Sequence, residues 1–259
     1  MSDSDQVRVT GGDSHHQRND TVTSRPKRVV IVVANPARNQ HGWPVGFWAA
    51  ELTHPYYEFV ERGIEVTIVS PDGGAVVPDA LSDPRDASRW SAGDLVSLGF
   101  LSSPDLVERL SDTPAVTDVD VDAYDALLVA GGQSPMFTYR GHTALHDLVR
   151  RFYEAEKPVA AYCHGLAALV DLTLSDGRLL VEGRTVTGFS DVEEDFSDRA
   201  AGVQVMPWRL EPVLKERGAN YVSAGLFKAF TVRDGRLVTG QQQYSGRKVA
   251  QTVIEMLGV

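Results

Sequence analysis

Residues 158–172, PVAAYCHGLAALVDL, place the only cysteine of this 259-residue chain between an apolar run and a helix-like segment. The run PVAAYC is short and uncharged, which is typical of a parallel strand buried on both faces. HGLAALVDL then has the apolar spacing of a helix. The sequence therefore predicts that Cys163 lies at a strand-to-helix turn, where ligand sites gather in open α/β sheets.

The same alternation of strand and helix recurs along the chain. Amphipathic helices are predicted over 46–63, 141–157 and 244–257, and a hairpin over 227–240 turns at Asp234-Gly235. Repeated βα units imply right-handed crossovers, so we expect an α/β fold with a mostly parallel sheet and helices on both faces. Three further runs predict its other buried strands: RVVIVVA (28–34), IEVTIVS (64–70) and DALLVAGG (125–132).

Two stretches lie outside this pattern. Residues 1–27 are polar and aperiodic, which predicts a disordered tail, and we interpret His15 and His16 as solvated residues of that tail. Residues 75–122 are loop-rich, with a short helix near 104–111, and are predicted to be an insertion over the sheet edge. Residues 28–259 are predicted to form a single domain.

Composition excludes several classes of function. The net charge of -10 and the absence of a basic stripe argue against a nucleic-acid partner. No secretory signal and no membrane-length apolar run is visible, so we expect a cytoplasmic protein that does not contact the membrane. The histidines are scattered and no phosphate-binding glycine loop is present, so neither a metal nor a cofactor is expected.

The residues around the turn predict a nucleophile. A helix N-terminus carries partial positive charge, so Cys163 is expected to have a lowered pKa. Gly165 leaves room for another stretch of backbone to approach, and His164 supplies a base. The alternative is an inert buried cysteine, which is common in protein cores.

Two other segments are predicted to reach the same rim. Gly131 and Gly132 end a buried strand, so their free N–H groups and that of His164 can form an oxyanion pocket. Glu51 has apolar neighbours on both sides, residues 47–50 and Leu52. It is predicted to be buried, protonated and hydrogen-bonded to the sulfur. Its alternative is a solvent-facing helical glutamate.

Five ordered segments together resemble the DJ-1/ThiJ/PfpI superfamily, and its Hsp31-like branch in particular. The resemblance implies a flavodoxin-like, doubly wound fold of the class I glutamine amidotransferase type, with a nucleophile elbow at Cys163. It also implies His164 as base, Glu194 as the acid that orients it, Glu51 as the helix carboxyl and Gly132 with His164 as oxyanion donors. Glu193 and Asp191 compete with Glu194. The segments are GFWAAELTHPYYEF (46–59), VAGGQSPMF (129–137), AAYCHGLAAL (160–169), VEGRTVTGFSDVEE (181–194) and DGRLVTGQ (234–241).

The chain departs from the superfamily's usual pattern beside the expected pocket. Gln133-Ser134 stands where relatives usually have His-Gly, Thr138 where they often have Asp, and Leu166 where they usually have Pro. These departures predict an altered substrate preference. The residues expected to line the substrate pocket are Gln133, Ser134, Met136, Phe137 and Trp48.

The resemblance implies a cofactor-independent enzyme acting on small carbonyl compounds. Its reaction is either that of glyoxalase III, methylglyoxal to lactate, or deglycation, and a homodimer is expected. One alternative is a specialised hydratase or lyase that uses the same cysteine. Another is a stress chaperone or a cysteine oxidation sensor. An amidotransferase is disfavoured because the partner domain that accepts ammonia is absent.

Overall fold

The computed structural model describes residues 25–259. The predicted disordered tail therefore lies almost wholly outside the described residues, as do His15 and His16. Six strands form the main sheet, and the predicted strands and hairpin are all confirmed. Their bounds are β1 Arg28–Val32, β2 Glu65–Val69, β3 Ala126–Val129, β4 Val159–Tyr162, β5 Thr231–Asp234 and β6 Leu237–Gly240.

The strand order is β2-β1-β3-β4-β6-β5, and every pair is parallel except the β5–β6 hairpin at one edge. The chain leaves β1 towards β2 at one side and returns to β3 on the other side of β1. This reversal is the switch point of a doubly wound sheet, and it opens a crevice at the carboxyl ends of β1 and β3. The predicted α/β fold class is therefore confirmed.

Eight α-helices accompany the sheet within residues 25–259. The predicted helices over 46–63, 141–157 and 244–257 correspond to α1, α5 and α8. Each begins two or three residues later than predicted, and α1 and α5 also end three residues earlier. The bounds are α1 Ala49–Val60, α2 Leu95–Leu101, α3 Pro104–Ser111, α4 Pro135–Thr138, α5 Thr143–Glu154, α6 Asp191–Ala201, α7 Leu210–Glu216 and α8 Gly246–Leu257. No helix in the described part of the chain is both long and apolar enough to cross a membrane.

Alternate residues of β1, β3 and β4 enter two separate cores, one on each face of the sheet. Val29 and Ile31 pack with side chains of α1 and α8, whereas Val30 and Val32 pack with side chains of α5 and α7. All four of these β1 valine and isoleucine side chains have no exposed area. This two-sided burial explains why the strands are continuous β-branched and aliphatic runs rather than alternating patterns.

One element differs in type from its prediction. The segment after β4 forms a 3-10 helix over Cys163–Ala168 and not an α-helix. All six of its residues are buried, and tertiary contacts on every side determine its path.

The segment 75–122 contains α2 and α3, the latter at the position predicted for a short helix. Helix α2 packs against α1. A bridge between Phe47 and Pro78 ties the start of this segment to the chain just before α1. The segment therefore touches the part of the fold that carries Glu51.

Two pairs of two-residue strands complete the fold outside the main sheet. Ala37–Arg38 pairs antiparallel with Pro44–Val45, and Thr185–Val186 pairs parallel with Asn220–Tyr221. The first pair shapes the loop between β1 and α1, which lies above the crevice.

Candidate active site

The turn at Cys163 has the backbone geometry of a nucleophile elbow. Strand β4 ends at Tyr162, and Cys163 follows with a φ of 55°, a value in the left-handed region that a non-glycine residue seldom adopts. At Gly165, a Cβ atom would stand 2.5 Å from the Val129 carbonyl oxygen. The predicted role of Gly165 is thereby confirmed, because only a glycine lets the turn pack against the end of β3.

Gly131 marks the point where three parts of the site meet. A Cβ atom at this position would lie 2.7 Å from Glu51 Oε2, 2.8 Å from His164 N and 2.9 Å from Cys163 Cβ. Real Cβ contacts are longer than these distances, so the absence of a side chain at Gly131 allows α1, β3 and the elbow to converge. The sequence-predicted Glu51, Cys163 and His164 are thus brought together.

Glu51 is completely buried, as predicted. Its Oε2 atom accepts the Gly131 N–H at 2.6 Å. Burial raises the pKa of Glu51 to about 8, although the neighbouring Cys163 thiol and the Gly131 amide both act to lower it. The carboxyl is therefore mainly protonated at neutral pH. Its Oε1 atom has no hydrogen-bond partner of ordinary geometry in the described part of the chain and faces no solvent.

Cys163 does not have the lowered pKa that its position in the sequence predicts. Burial, and then the nearby Glu51 carboxyl, raise the pKa of the thiol well above its usual value. The backbone N–H groups of His164 and Gly132 point at the sulfur and act in the opposite direction. The prediction was wrong because a six-residue 3-10 helix in a dry site offsets little of the desolvation.

His164 and Glu194 form a buried pair beside the elbow. His164 Nε2 lies 2.9 Å from Glu194 Oε1, and Nδ1 lies 3.1 Å from the Gly132 carbonyl oxygen. A carbonyl oxygen can only accept, so Nδ1 carries a proton. Burial lowers the pKa of His164, but the charge and hydrogen bond of Glu194 outweigh it and the net shift is upward. Both ring nitrogens are thus engaged, Nδ1 with the Gly132 carbonyl oxygen and Nε2 with Glu194.

The competing acids Glu193 and Asp191 do not contact His164. Glu193 is fully buried, but its oxygens accept from the backbone and hydroxyl of Ser190, from the Phe227 N–H and from Gln241. Glu193 therefore fastens the loop around Phe227. Glu194 is the acid that faces the histidine.

The five predicted pocket residues divide into two groups. Gln133, Phe137 and Trp48 are partly exposed, which is compatible with lining a pocket. Ser134 and Met136 are buried, and the structure does not support a pocket role for either. Ser134 Oγ donates to the Asn35 carbonyl oxygen at 2.6 Å, so its hydroxyl is committed to joining loops.

Asp79 contacts Gln133 and was not among the residues predicted from the sequence. It is 2% exposed and belongs to the loop-rich segment 75–122. Its Oδ2 atom accepts the Gln133 N–H at 2.7 Å. No local pattern could have found it, because Asp79 and Gln133 are 54 positions apart in the chain and share no motif.

Within residues 25–259 no group of three or more histidine, cysteine, aspartate or glutamate side chains is arranged to hold a metal ion. His142 and His146 have helical spacing, but His142 has other partners. His142 caps α5 by accepting the Leu145 N–H at 3.2 Å, and it contacts Asp72.

The arrangement can therefore perform one type of chemistry: attack by a sulfur nucleophile on a small electrophile. A buried carboxyl able to exchange a proton near neutral pH lies beside the thiol. The backbone N–H groups of Gly132 and His164 point at the sulfur, and the His164 ring, hydrogen-bonded to Glu194, lies beside the elbow.

Comparison with known proteins finds relatives that match most of the chain. The chain is 29% identical over 247 residues to a protein named glutathione-independent glyoxalase HSP31 of Saccharomyces cerevisiae, covering 90% of this chain and 98% of that relative. It is 30% identical to a probable glutathione-independent glyoxalase, hsp3103, of Schizosaccharomyces pombe, covering 83% of this chain and 92% of that one.

Two solved structures share the fold over most of their length. Rapid Encystment Protein 24 kDa of Francisella tularensis is 29% identical with a TM-score of 0.80, covering 88% of this chain and 98% of that chain. Glyoxalase III of Candida albicans is 25% identical with a TM-score of 0.73, covering 88% and 96%. Because residues 44–256, which carry the elbow, Glu51 and the His164–Glu194 pair, match the DJ-1/PfpI family throughout, the chain belongs to that family.

Proposed function

We propose that this protein is a cofactor-independent glyoxalase III that converts a small α-oxoaldehyde such as methylglyoxal into the corresponding 2-hydroxy acid. The observation that carries the proposal is the meeting of Cys163, Glu51 and two inward-pointing N–H groups around Gly131. The names of the relatives from yeasts, glutathione-independent glyoxalases, support the same reaction.

The closed character of the site supports a small substrate. Cys163 and His164 are only 3% and 4% exposed, so little space around the sulfur is open to solvent. Such burial suits a three-carbon carbonyl compound better than a protein or a sugar chain. A small-molecule substrate therefore follows from both the burial and the relatives.

The first step forms a bond between Cys163 Sγ and the aldehyde carbon. The ionised fraction of Glu51, about a tenth at pH 7 for a pKa of about 8, accepts the thiol proton as sulfur attacks. The carbonyl π electrons move to oxygen, where the N–H groups of Gly132 and His164 stabilise the negative charge. Glu51 returns the proton to that oxygen, which completes a hemithioacetal.

The second step moves a proton between the two carbons of the substrate. A base removes the proton from the former aldehyde carbon to give an enediol, and the neighbouring carbon is then protonated, which leaves a thioester on Cys163. We assign this transfer to Glu51 rather than to the predicted base His164, because both ring nitrogens of His164 already have hydrogen-bond partners, the Gly132 carbonyl oxygen and Glu194. His164 and Glu194 then act by stabilising the enediolate charge.

The last step is hydrolysis of the thioester. Water adds to the acyl carbon, the C–S bond breaks and the Cys163 thiol regains its proton, which releases the 2-hydroxy acid. The sequence consumes one water and needs no oxidant or reductant, because the aldehyde is oxidised while the ketone is reduced within the same molecule.

The direct test is turnover of methylglyoxal by the purified, reduced protein without glutathione. We expect lactate formation and complete loss of it in Cys163→Ala, since no hemithioacetal can form. Circular dichroism of the variant checks that the fold is retained. Wild-type protein with an unmodified thiol that forms no lactate would remove this proposal, and the specialised hydratase or lyase would take its place.

Three coarser expectations accompany the proposal. We propose that residues 28–259 act as one domain with 75–122 as an insertion, that the protein is a homodimer and that it is cytoplasmic. Light scattering of the purified protein tests the dimer, and cell fractionation tests the location.

A further inference from the structure

Asp79 is a buried carboxylate that connects three segments of the site. It directly precedes a 3-10 turn over Ala80–Ser82 and is 2% exposed. Its backbone N–H donates to the Phe47 carbonyl oxygen at 2.7 Å, and its carbonyl oxygen accepts the Ser82 hydroxyl at 2.8 Å. The Asp79 backbone is thus fixed before its side chain makes any contact.

Its two carboxylate oxygens accept two backbone amides from different parts of the chain. Oδ1 accepts the Gly46 N–H at 2.8 Å and Oδ2 accepts the Gln133 N–H at 2.7 Å. Gly46 lies on the approach to α1, which carries Glu51, and Gln133 directly follows the oxyanion donor Gly132. A carboxylate suits this arrangement because it presents two acceptors and no donor.

The same two segments are held together by neighbouring bonds. The Ser134 N–H donates to the Gly46 carbonyl oxygen at 3.0 Å, and the Trp48 N–H donates to the Gly131 carbonyl oxygen at 3.2 Å. Asp79 therefore adds to a short series of hydrogen bonds between residues 46–48, which precede α1, and the Gly131–Ser134 loop. Its loss would free the loop at the residue next to Gly132.

The environment of Asp79 is costly for a negative charge. No lysine or arginine within residues 25–259 forms an ion pair with it, and burial raises its pKa to about 7 against the two amides and the nearby charge of His164. The two amides that Asp79 accepts nevertheless belong to the segments that flank the reacting atoms, so this buried acid is placed where it orients them.

We propose that Asp79 is a positioning residue for the reaction, holding the Gly132–Gln133 backbone so that the Gly132 N–H points at the Cys163 sulfur and the substrate oxyanion. The inference rests on the proposed glyoxalase function for its kinetic consequence. Its structural part, the orientation of an N–H group towards sulfur, does not depend on which substrate is used.

The test compares Asp79→Asn with Asp125→Asn. Asparagine keeps the shape of Asp79 but offers one acceptor oxygen and turns an NH₂ group towards the second amide. Asp125 is the matched control, because it accepts the Arg28 N–H at 2.8 Å at the amino end of β1, away from the site. Asp79→Ala, which removes both acceptors, provides the stronger perturbation.

For methylglyoxal turnover we expect kcat of Asp79→Asn to fall about 10- to 100-fold, with KM changed by less than about twofold, and a larger fall for Asp79→Ala. Asp125→Asn should keep the wild-type kcat even if its melting temperature falls by as much as that of Asp79→Asn. A kcat that follows only the folded fraction, or a rise in KM alone, would overturn the proposal.

A second measurement separates this inference from the proposed function. The rate of Cys163 alkylation by iodoacetamide reports the N–H groups around the sulfur without any turnover, and Cys163 is the only cysteine. We expect Asp79→Asn to slow alkylation at least about threefold, while Asp125→Asn does not. If the wild type makes no lactate, this contrast still decides the role of Asp79, and equal rates in both variants refute it.

Discussion

Glu51→Gln should make the protein more stable while it removes activity. The substitution keeps the size of the side chain and its ability to accept the Gly131 N–H, but it removes the titratable proton. In the folded protein the pKa of Glu51 is about 8, against 4.5 for an unperturbed glutamate. The carboxyl is fully buried, so solvent does not screen this difference.

The sign and size of this change in unfolding free energy follow from proton linkage. A raised folded pKa contributes stability that is fully present below pH 4.5 and is lost as the pH rises to about 8. At pH 7 the unfolded glutamate is ionised and the folded one is protonated, which costs the wild type about 3 kcal/mol. Glutamine has no such cost, so Glu51→Gln should be more stable by about that amount at pH 7.

The assay is urea unfolding of both proteins at pH 5 and pH 8. The stability gap in favour of Glu51→Gln should be under about 1 kcal/mol at pH 5 and grow to about 4 kcal/mol at pH 8. Glu61→Gln, on the exposed end of the same helix, controls for the substitution itself. A gap that stays constant between the two pH values would refute both the burial argument and the assignment of Glu51 as the protonated acid.

Two further substitutions test the geometry of the site. Gly131→Ala should lower the stability by about 1–3 kcal/mol and kcat/KM about 100-fold, because its Cβ would lie within 3 Å of three site atoms. Gly99→Ala is the control: Gly99 lies in α2, and a Cβ there would have no atom within 4 Å. This variant should instead gain about 0.5–1 kcal/mol of stability. Wild-type kinetics in Gly131→Ala would contradict this reasoning. Glu194→Gln should lower kcat about 10- to 100-fold with little change in KM, because the His164 ring loses the carboxylate that orients it. The pH profile should shift to lower pH, since Glu194 raises the pKa of His164. A rise in KM with kcat intact would count against this reasoning.

The strands and the elbow could be predicted because the relevant signals are local. A parallel strand covered on both faces must be apolar along its whole length, and β1, β3 and β4 show this directly. The change from such a run to Cys163-His164-Gly165 marks the end of β4 without knowledge of any other segment. The same reasoning located Gly131 and Gly132 at the end of β3.

The burial of Glu51 was a harder case. The spacing of apolar residues in α1 by itself favours a solvent-facing glutamate, and the expectation of burial rested on the apolar neighbours of Glu51 and on the resemblance to a family. The structure shows why spacing failed here: α1 is covered by the sheet, by α2 and by α8, so most of its circumference is buried.

What the sequence determined by itself is the α/β architecture and the place of Cys163 within it, because these depend on hydrophobic patterns along contiguous residues. The choice between Glu193 and Glu194 needed the tertiary structure, since adjacent helical residues point about 100° apart and only packing decides which one meets His164. The upward pKa shift of Cys163 likewise arises from burial by several segments. Asp79 reaches Gln133 across 54 positions of chain, so no local pattern encodes their contact, and folding alone brings the carboxylate to the amide.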